Sequence, residues 1–353
     1  MSEIASRPLV TFAVFACNQE KFVREAVESV FAQTYSPLQI ILSDDCSDDR
    51  TFEILQEMAA AYRGPHEILL NRNPKRCGIG GHFNRVEELA RGELIVVQAA
   101  DDVSLPQRTQ AMYDAWEKSG RRATSLHSDF IQIDENSREM EAVYRNVDKY
   151  EKGEVALQKV EPMLYARTLK PILFGCTHAF CRRLYRTFGK LPENITHEDD
   201  VLAFRSVLVD GLFYINEPLV KYRLHGANLY LRNCTGAKDL KGLEQQESRL
   251  QRDFRNRQTT YEAFLLDLET ARQQKLIGAN ELEAAHREAD RLRRQYSLMS
   301  RFIGSSFFRK CGILFQFRSI GFDDTNRRFL ATRLLPQAVF LRIRLARSRL
   351  NGA

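Results

Sequence analysis

Four short apolar runs separated by longer mixed segments set the plan of the first hundred residues. Val10 to Ala16, Gln39-Ile40-Ile41-Leu42-Ser43, Glu67-Ile68-Leu69-Leu70 and Leu94-Ile95-Val96-Val97 are rich in β-branched and aliphatic residues and too short for core helices, the pattern of buried strands. Between them, Phe22, Ala26, Val30 and Phe31 mark one side of a helix, and Phe52, Leu55, Met58 and Ala59 mark a second across Thr51 to Tyr62. Gly78-Ile79-Gly80-Gly81 reads as a flexible loop leading into a third helix, Phe83 to Ala90. Strands alternating with helices predict a parallel sheet with crossover helices. Gln107 to Ser119 continues as a helix with Met112 and Trp116 facing the core, and Ala123 to His127 with Phe130-Ile131 supplies further strand. Asn136 to Val160 is polar without a period, which predicts an insertion or lid-like excursion.

A different pattern begins at Leu240. Leu243, Glu247, Leu250, Phe254, Arg257, Tyr261, Phe264 and Leu268 share one helical face, as do Leu282, Ala285, Ala289, Leu292, Tyr296 and Met299. The break at Ile277-Gly278-Ala279-Asn280 predicts a helical hairpin, with Asn280 and Glu283 capping its second helix. Its apolar faces call for a partner: the body of the same chain, a second subunit in a homo-oligomer, or both. The expected division is 1–235 for a catalytic domain (8–130 and 131–235 as its halves), 236–300 for the hairpin and 301–353 for a basic tail.

Charge sharpens this picture at the strand ends. Asp44-Asp45-Cys46-Ser47-Asp48 and Ala99-Ala100-Asp101-Asp102 follow the second and fourth strands. Open α/β sheets bind ligands at the carboxyl ends of their strands. Adjacent carboxylates repel unless a cation or several donors sit between them, so Asp101-Asp102 is a candidate metal site. A helix N-cap ahead of Pro106 is the competing reading. Thr196-His197-Glu198-Asp199-Asp200 places three more acids in the first turn of a helix, where exposed amides stabilise negative charge and, taken alone, capping explains them more readily than catalysis.

Composition excludes several classes. Seven cysteines, an odd number without C-x-x-C spacing, argue against a disulfide framework and a zinc site and predict reduced thiols in a cytoplasmic setting. No apolar run is long enough to cross a bilayer, and Met1 to Pro8 lacks a signal-peptide core. The formal net charge of +6 is uneven: residues 301–353 carry 11 Lys and Arg against 2 Asp and Glu. After Pro336, Val339, Ile343, Ala346 and Leu350 form a narrow apolar stripe among arginines. That suits either a helix on an anionic membrane surface, peripheral at its cytoplasmic face, or a basic helix docked on the body. No stacking platform accompanies the arginines, so a nucleic-acid partner is not expected.

Asn18, Ser29, Gln33-Thr34-Tyr35, Asp44-Asp45-Cys46-Ser47-Asp48, Gly78, Asn84, Gly92-Glu93 and Asp101-Asp102, in this order and spacing, resemble the nucleotide-sugar half of family 2 glycosyltransferases. Glu198-Asp199-x-x-Leu202 is similar to the family's Glu-Asp-x-x-Leu motif, and Tyr222-Arg223-Leu224-His225-Gly226-Ala227-Asn228 to its closing motif. The resemblance implies an α/β GT-A fold and an inverting transfer from a nucleoside-diphosphate sugar, UDP favoured, to an acceptor hydroxyl. The acceptor would be a glycan or lipid-linked molecule in cell-envelope, capsular or lipid-linked glycan synthesis. It assigns Asp199 as base, with Glu198 and Asp200 as fallbacks, and Ala16, Asn18, Glu20, Asp45, Gly78, Asn84, Asp101 and Arg223 to donor binding. Asp102, Asp101 and His225 would hold Mn2+ or Mg2+, and Gly175, Cys176 and Thr177 would meet the acceptor. Two departures stand out: Ala99 replaces a frequent Asp, and Cys46 stands where Gly is common. A sugar nucleotidyltransferase fits poorly, because the first loop, Cys17-Asn18-Gln19-Glu20, lacks the Gly-rich basic sequence it needs. A noncatalytic nucleotide-sugar-binding or scaffold protein would be expected to have lost the acids that are present here.

Overall fold

The computed structural model describes residues 7–144, 151–168, 173–226 and 239–317, together with Asn228, Leu330, Arg333, Leu334 and Val339. The stripe after Pro336 therefore lies, except for Val339, outside the described residues.

The first half alternates as the apolar pattern demands: β1 Val10–Ala16, α1 Val23–Phe31, β2 Leu38–Asp44, α2 Thr51–Ala61, β3 Glu67–Arg72, α3 Gly78–Leu89 and β4 Leu94–Ala99. β1, β2 and β4 are buried almost throughout, which is why they read as continuous apolar runs rather than alternating ones. After β5 (Val103–Ser104) come α4 (Arg108–Lys118), β6 (Ser125–Ile133), β7 (Glu139–Tyr144), β8 (Val155–Leu157) and α5 (Pro162–Thr168). A 3-10 turn at Gly175–Thr177 leads to β9 (Ala179–Cys181), α6 (Arg183–Phe188), α7 (Glu198–Leu208) and β10 (Leu212–Arg223). Helices α8 (Leu240–Gln274), α9 (Ala279–Phe302) and α10 (Phe307–Phe317) follow.

One sheet runs in the order β3-β2-β1-β4-β9-β6-β10-β5, with β7 beside β6 and β8 beside β10. β1 pairs in parallel with both β2 and β4. β9 is antiparallel to β4 and to β6, and β10 is parallel to β6. These pairings bring the carboxyl ends of β1, β2, β4 and β10, and the turn before β9, to the same edge of the sheet.

Three expectations are corrected. The glycine run at 78–81 is the first turn of α3, not a flexible loop. A Cβ on Gly80 would lie 2.3 Å from the Pro192 carbonyl, so that glycine serves a close helix–loop approach. The segment 136–160 contains two strands, β7 and β8, that lengthen the sheet. Asn280 sits inside α9, which starts after Gly278 with no side-chain cap.

The hairpin's apolar faces find their partner in the same chain. Tyr261, Phe264 and Leu268 of α8 and Ala285, Ala289 and Leu292 of α9 join the core that contains Phe180, Val201 and Phe204. Phe264 stacks on Phe204 of α7 at 4.0 Å between ring centroids. Leu243 and Phe254 are buried as well, so the stripe is largely covered without a second subunit.

Candidate active site

The donor-side loops are fixed to one another. Asp45 follows β2 and is 5% exposed, its Oδ1 accepting from Asn73 Nδ2 at 2.8 Å and from the Cys77 amide at 3.0 Å. Its Oδ2 accepts from the Gly78 amide at 3.0 Å. Burial raises this carboxyl, but the hydrogen bonds from Cys77 and Asn73 outweigh it and hold the group below its ordinary range. Cys46 has φ 56°, the left-handed conformation in which glycine is at ease, so the turn keeps its shape with a side chain in glycine's place. Asn18, also left-handed, accepts from the Asp48 amide at 2.9 Å and donates its own amide to Ser47 Oγ at 2.9 Å. Glu20 accepts from the Arg50 amide, and the Ala16 carbonyl from the Asp45 amide. Asn18, Glu20 and Ala16 thus lock the loop after β1 onto the loop after β2.

Asp101 and His225, 124 positions apart, meet at 3.0 Å between Oδ2 and Nε2. Asp102 turns inward, where its Oδ1 accepts from the Arg223 amide at 2.9 Å and its Oδ2 is buried without a hydrogen-bond partner. Burial and the neighbouring Asp101 charge push the Asp102 carboxyl well up, against the pull of the Arg223 amide and of Arg108. The capping alternative fails, because α4 begins after Gln107 with no side-chain cap. One carboxylate and one imidazole beside an orphaned carboxylate oxygen fit a divalent cation in kind, with diphosphate oxygens able to complete its shell. Among the described residues, no three Asp, Glu, His or Cys side chains already form a cage for an ion.

On the other side, Asp199 is the second residue of α7 and is held by two amides: its Oδ2 accepts from Gly175 N at 3.2 Å and its Oδ1 from Asp200 N at 2.9 Å. Burial nevertheless raises its carboxyl above the usual range. Burial and the Asp199 charge push Glu198 well up. Asp200 is pushed up to about 7 by burial and by Asp199, although Arg257 of α8 bonds it at 2.8 Å. The Gly175 amide thus ties the expected acceptor loop to the expected base. The Cys176 carbonyl accepts from Arg108 at 2.9 Å, and the Thr177 hydroxyl donates to the Phe174 carbonyl at 3.0 Å, so Thr177 turns inward.

Two expected donor contacts have other surroundings. Asn84 is buried in α3, with its amide bonded on both sides to the Leu191 backbone at 2.8 and 2.9 Å, and ties α3 to the chain ahead of α7. The Arg223 guanidinium is buried among the Asp101 and Asp134 carbonyls, Ser137 and Glu25, where it clamps the Asp101 loop to α1 instead of pointing at a diphosphate. Sequence reasoning missed Arg108, fully buried in α4 and bonded to the Val97 and Cys176 carbonyls, because an arginine in a polar helix carries no periodic signal.

A profile of the family described as "Glycosyl transferase family 2" matches residues 11–188, half of the chain, and the protein belongs to that family. An uncharacterized glycosyltransferase of Rickettsia prowazekii is 26% identical over 222 residues, 62% of this chain and 65% of its own length. The chain thus spans just under two thirds of that relative. Succinoglycan biosynthesis protein ExoO of Rhizobium meliloti is 32% identical over 133 residues, 38% of this chain and 37% of its own. Residues 1–349 of S. aureus TarS, solved with UDP-GlcNAc, superpose with a TM-score of 0.52 at 16% identity, covering 91% of this chain and 90% of that one. The fold is GT-A, with additional helices at its C-terminal end. The family match ends before α7, so Asp199 and His225 lie beyond it.

Proposed function

We propose that the protein moves a sugar from a nucleoside-diphosphate sugar, UDP-linked by preference, to an acceptor hydroxyl with inversion at the anomeric carbon. The reading rests on one observation: Asp45, the Asp101–His225 pair and Asp199 stand at one edge of the sheet although they come from four separate stretches of chain. Asp45, ionised and held by amides, accepts from the imide N–H of the base. Asp199 takes the proton of the acceptor hydroxyl as that oxygen bonds to the anomeric carbon and the bond to the diphosphate breaks on the opposite face. The amides of Gly175 and Asp200 keep the carboxylate aimed during this transfer. Mg2+ or Mn2+ held by Asp101, Asp102 and His225 would supply Lewis-acid charge for the leaving diphosphate. The domain division at 235 and 300, and the tail as a contact for an anionic membrane surface, belong to the same reading. So does a glycan or lipid-linked acceptor in envelope polysaccharide synthesis, which the relative's name, succinoglycan biosynthesis protein, supports.

A mass-spectrometric screen of UDP-, GDP- and dTDP-sugars with added Mg2+ or Mn2+ tests the reading. One donor should be consumed to release its nucleoside diphosphate. Release of a nucleoside monophosphate, or consumption of none, overturns it.

A further inference from the structure

The stripe that makes α8 amphipathic contains two charged positions, Glu247 and Arg257. A charge on a core-facing stripe costs stability unless a partner meets it. Glu247 is met by Arg333 at 3.0 Å. Arg257 is met by Asp200, in the same helical turn as Asp199. A second, fully buried pair joins the same two helices ten positions further along α8, where Arg205 Nε lies 3.0 Å from Asp267 with both side chains 2% exposed, whereas Arg257 is partly exposed. Phe204 and Phe264 stack between the two pairs. Two ion pairs and an aromatic stack fix the rotation and height of α7 against α8, and with them the direction in which its first turn faces.

We propose that Arg257, carried by α8, is a positioning residue for the base: it neutralises Asp200 so that Asp199 stands as the carboxylate against Gly175. The proposal deepens the functional reading above and rests on its assignment of Asp199. Three consecutive acids fill this first turn, and Glu198 and Asp199 lie so close to Gly175 that a Cβ there would sit 3.0 Å from Glu198 Oε1 and 3.7 Å from Asp199 Oδ2. Such a group cannot carry three negative charges away from water. Among the described residues, the polar groups that face it are Arg257 and Tyr261 from α8, Tyr165 from α5, Tyr185 from α6 and Cys176 from the 3-10 turn, with the exposed Asp253 of α8 near Arg257. Burial pushes the Tyr165, Tyr185 and Cys176 groups upward, so they stay neutral. His197, beside them, is driven down to about 4 by burial and by Arg257 and is neutral too. Arg257 is then the cation among these described neighbours. Asp200 is paired with Arg257, burial and Asp199 push the Glu198 carboxyl well up, and Asp199 alone of the three accepts from both the Gly175 and Asp200 amides, so the negative charge these amides favour belongs to Asp199. The C-terminal helices, outside the matched family segment, complete the site.

The test uses the full chain and the variants Arg257→Gln, Arg257→Lys and Asp199→Asn. Carbonyl-13C NMR with labelled aspartate identifies the Asp199 carboxyl as the resonance lost in Asp199→Asn, and its titration needs no turnover. In Arg257→Gln that titration should move to higher pH by about one unit or more, whereas Arg257→Lys should hold it near wild type. The acid limb of the rate of UDP-GlcNAc or other donor turnover should move with it, and calorimetric affinity for UDP should stay within about twofold. An unmoved Asp199 titration in folded Arg257→Gln overturns the proposal. If Arg257→Gln fails to fold, Arg257→Lys decides: loss of the wild-type titration in a folded Lys variant overturns it equally. Full transfer activity in Asp199→Asn instead overturns the assignment of the base and leaves the electrostatic result standing.

Discussion

The two sides of the site solve the same problem, a carboxylate out of water, by different means. On the donor side Asp45 sits in a loop whose own neighbours, Asn73, Cys77 and Gly78, supply the donors, and its carboxyl is held low. On the proposed acceptor side Glu198, Asp199 and Asp200 are raised, and the cation that bonds Asp200 comes from a helix more than fifty positions away. Local amides make the donor side self-sufficient. The proposed acceptor side takes its cation and its aromatic packing from the C-terminal helices.

The largest expected effect breaks the acceptor side at its centre. Asp199→Asn should lower the transfer rate by roughly 10^2 to 10^4-fold, with UDP affinity retained by calorimetry, because the proposed general base is removed and the proposed donor loops are untouched. A variant with near-normal turnover would move the role to Glu198 or Asp200. Next in size is Asp267→Ala, which strands the buried Arg205 and should cost about 3–5 kcal/mol of unfolding free energy in urea. A loss below about 1 kcal/mol would show that α8 is not needed to hold α7. Asp45→Ala should weaken UDP binding by about tenfold or more while leaving the unfolding midpoint closer to wild type, since a charged hydrogen bond is worth about 1.5–3 kcal/mol. Unchanged affinity would separate Asp45 from the base of the donor.

The smallest effect has opposite signs on the two sides. Asp45 is lowered from an ordinary 3.8, so its contribution to stability is present above that value and fades as pH falls through its lower folded value. Asp200 and Asp267 are raised to about 7 and about 6, so the folded chain holds protons there that the unfolded chain has released, and their contribution grows as pH falls from 7 toward 4. Urea midpoints measured against pH should therefore show Asp200→Asn flattening the gain between pH 7 and 4, and Asp45→Asn flattening the loss below 4. The same change in both variants would mean that the two sides are not electrostatically distinct.

The limits of sequence reading follow the same division. β1, β2 and β4 were legible as continuous apolar runs, and the acids stood out because β2 and β4 both lead into a pair of carboxylates. β10 was not, since Pro218 interrupts it and the register against β6 shifts on both sides of that residue. β9 is three residues long and too short for any periodicity to show. The glycines of α3 looked like a loop because the packing partner that requires Gly80, the Pro192 carbonyl, is more than a hundred positions away.

By itself the sequence determined the alternating α/β plan, the acids at the strand ends and the existence of two amphipathic C-terminal helices, which are written in local period and spacing, and it carried the family through the resemblance of its motifs. Only the tertiary structure decided that Asp101 meets His225, that Arg223 and Asn84 are spent on holding loops, and that α8 delivers Arg257 to the acidic turn of α7. Those contacts join residues roughly 57 to 198 positions apart. Nothing in a local pattern encodes which buried charge another helix will bring, because that choice is made when the helices pack and each charge must find a partner or stay in water.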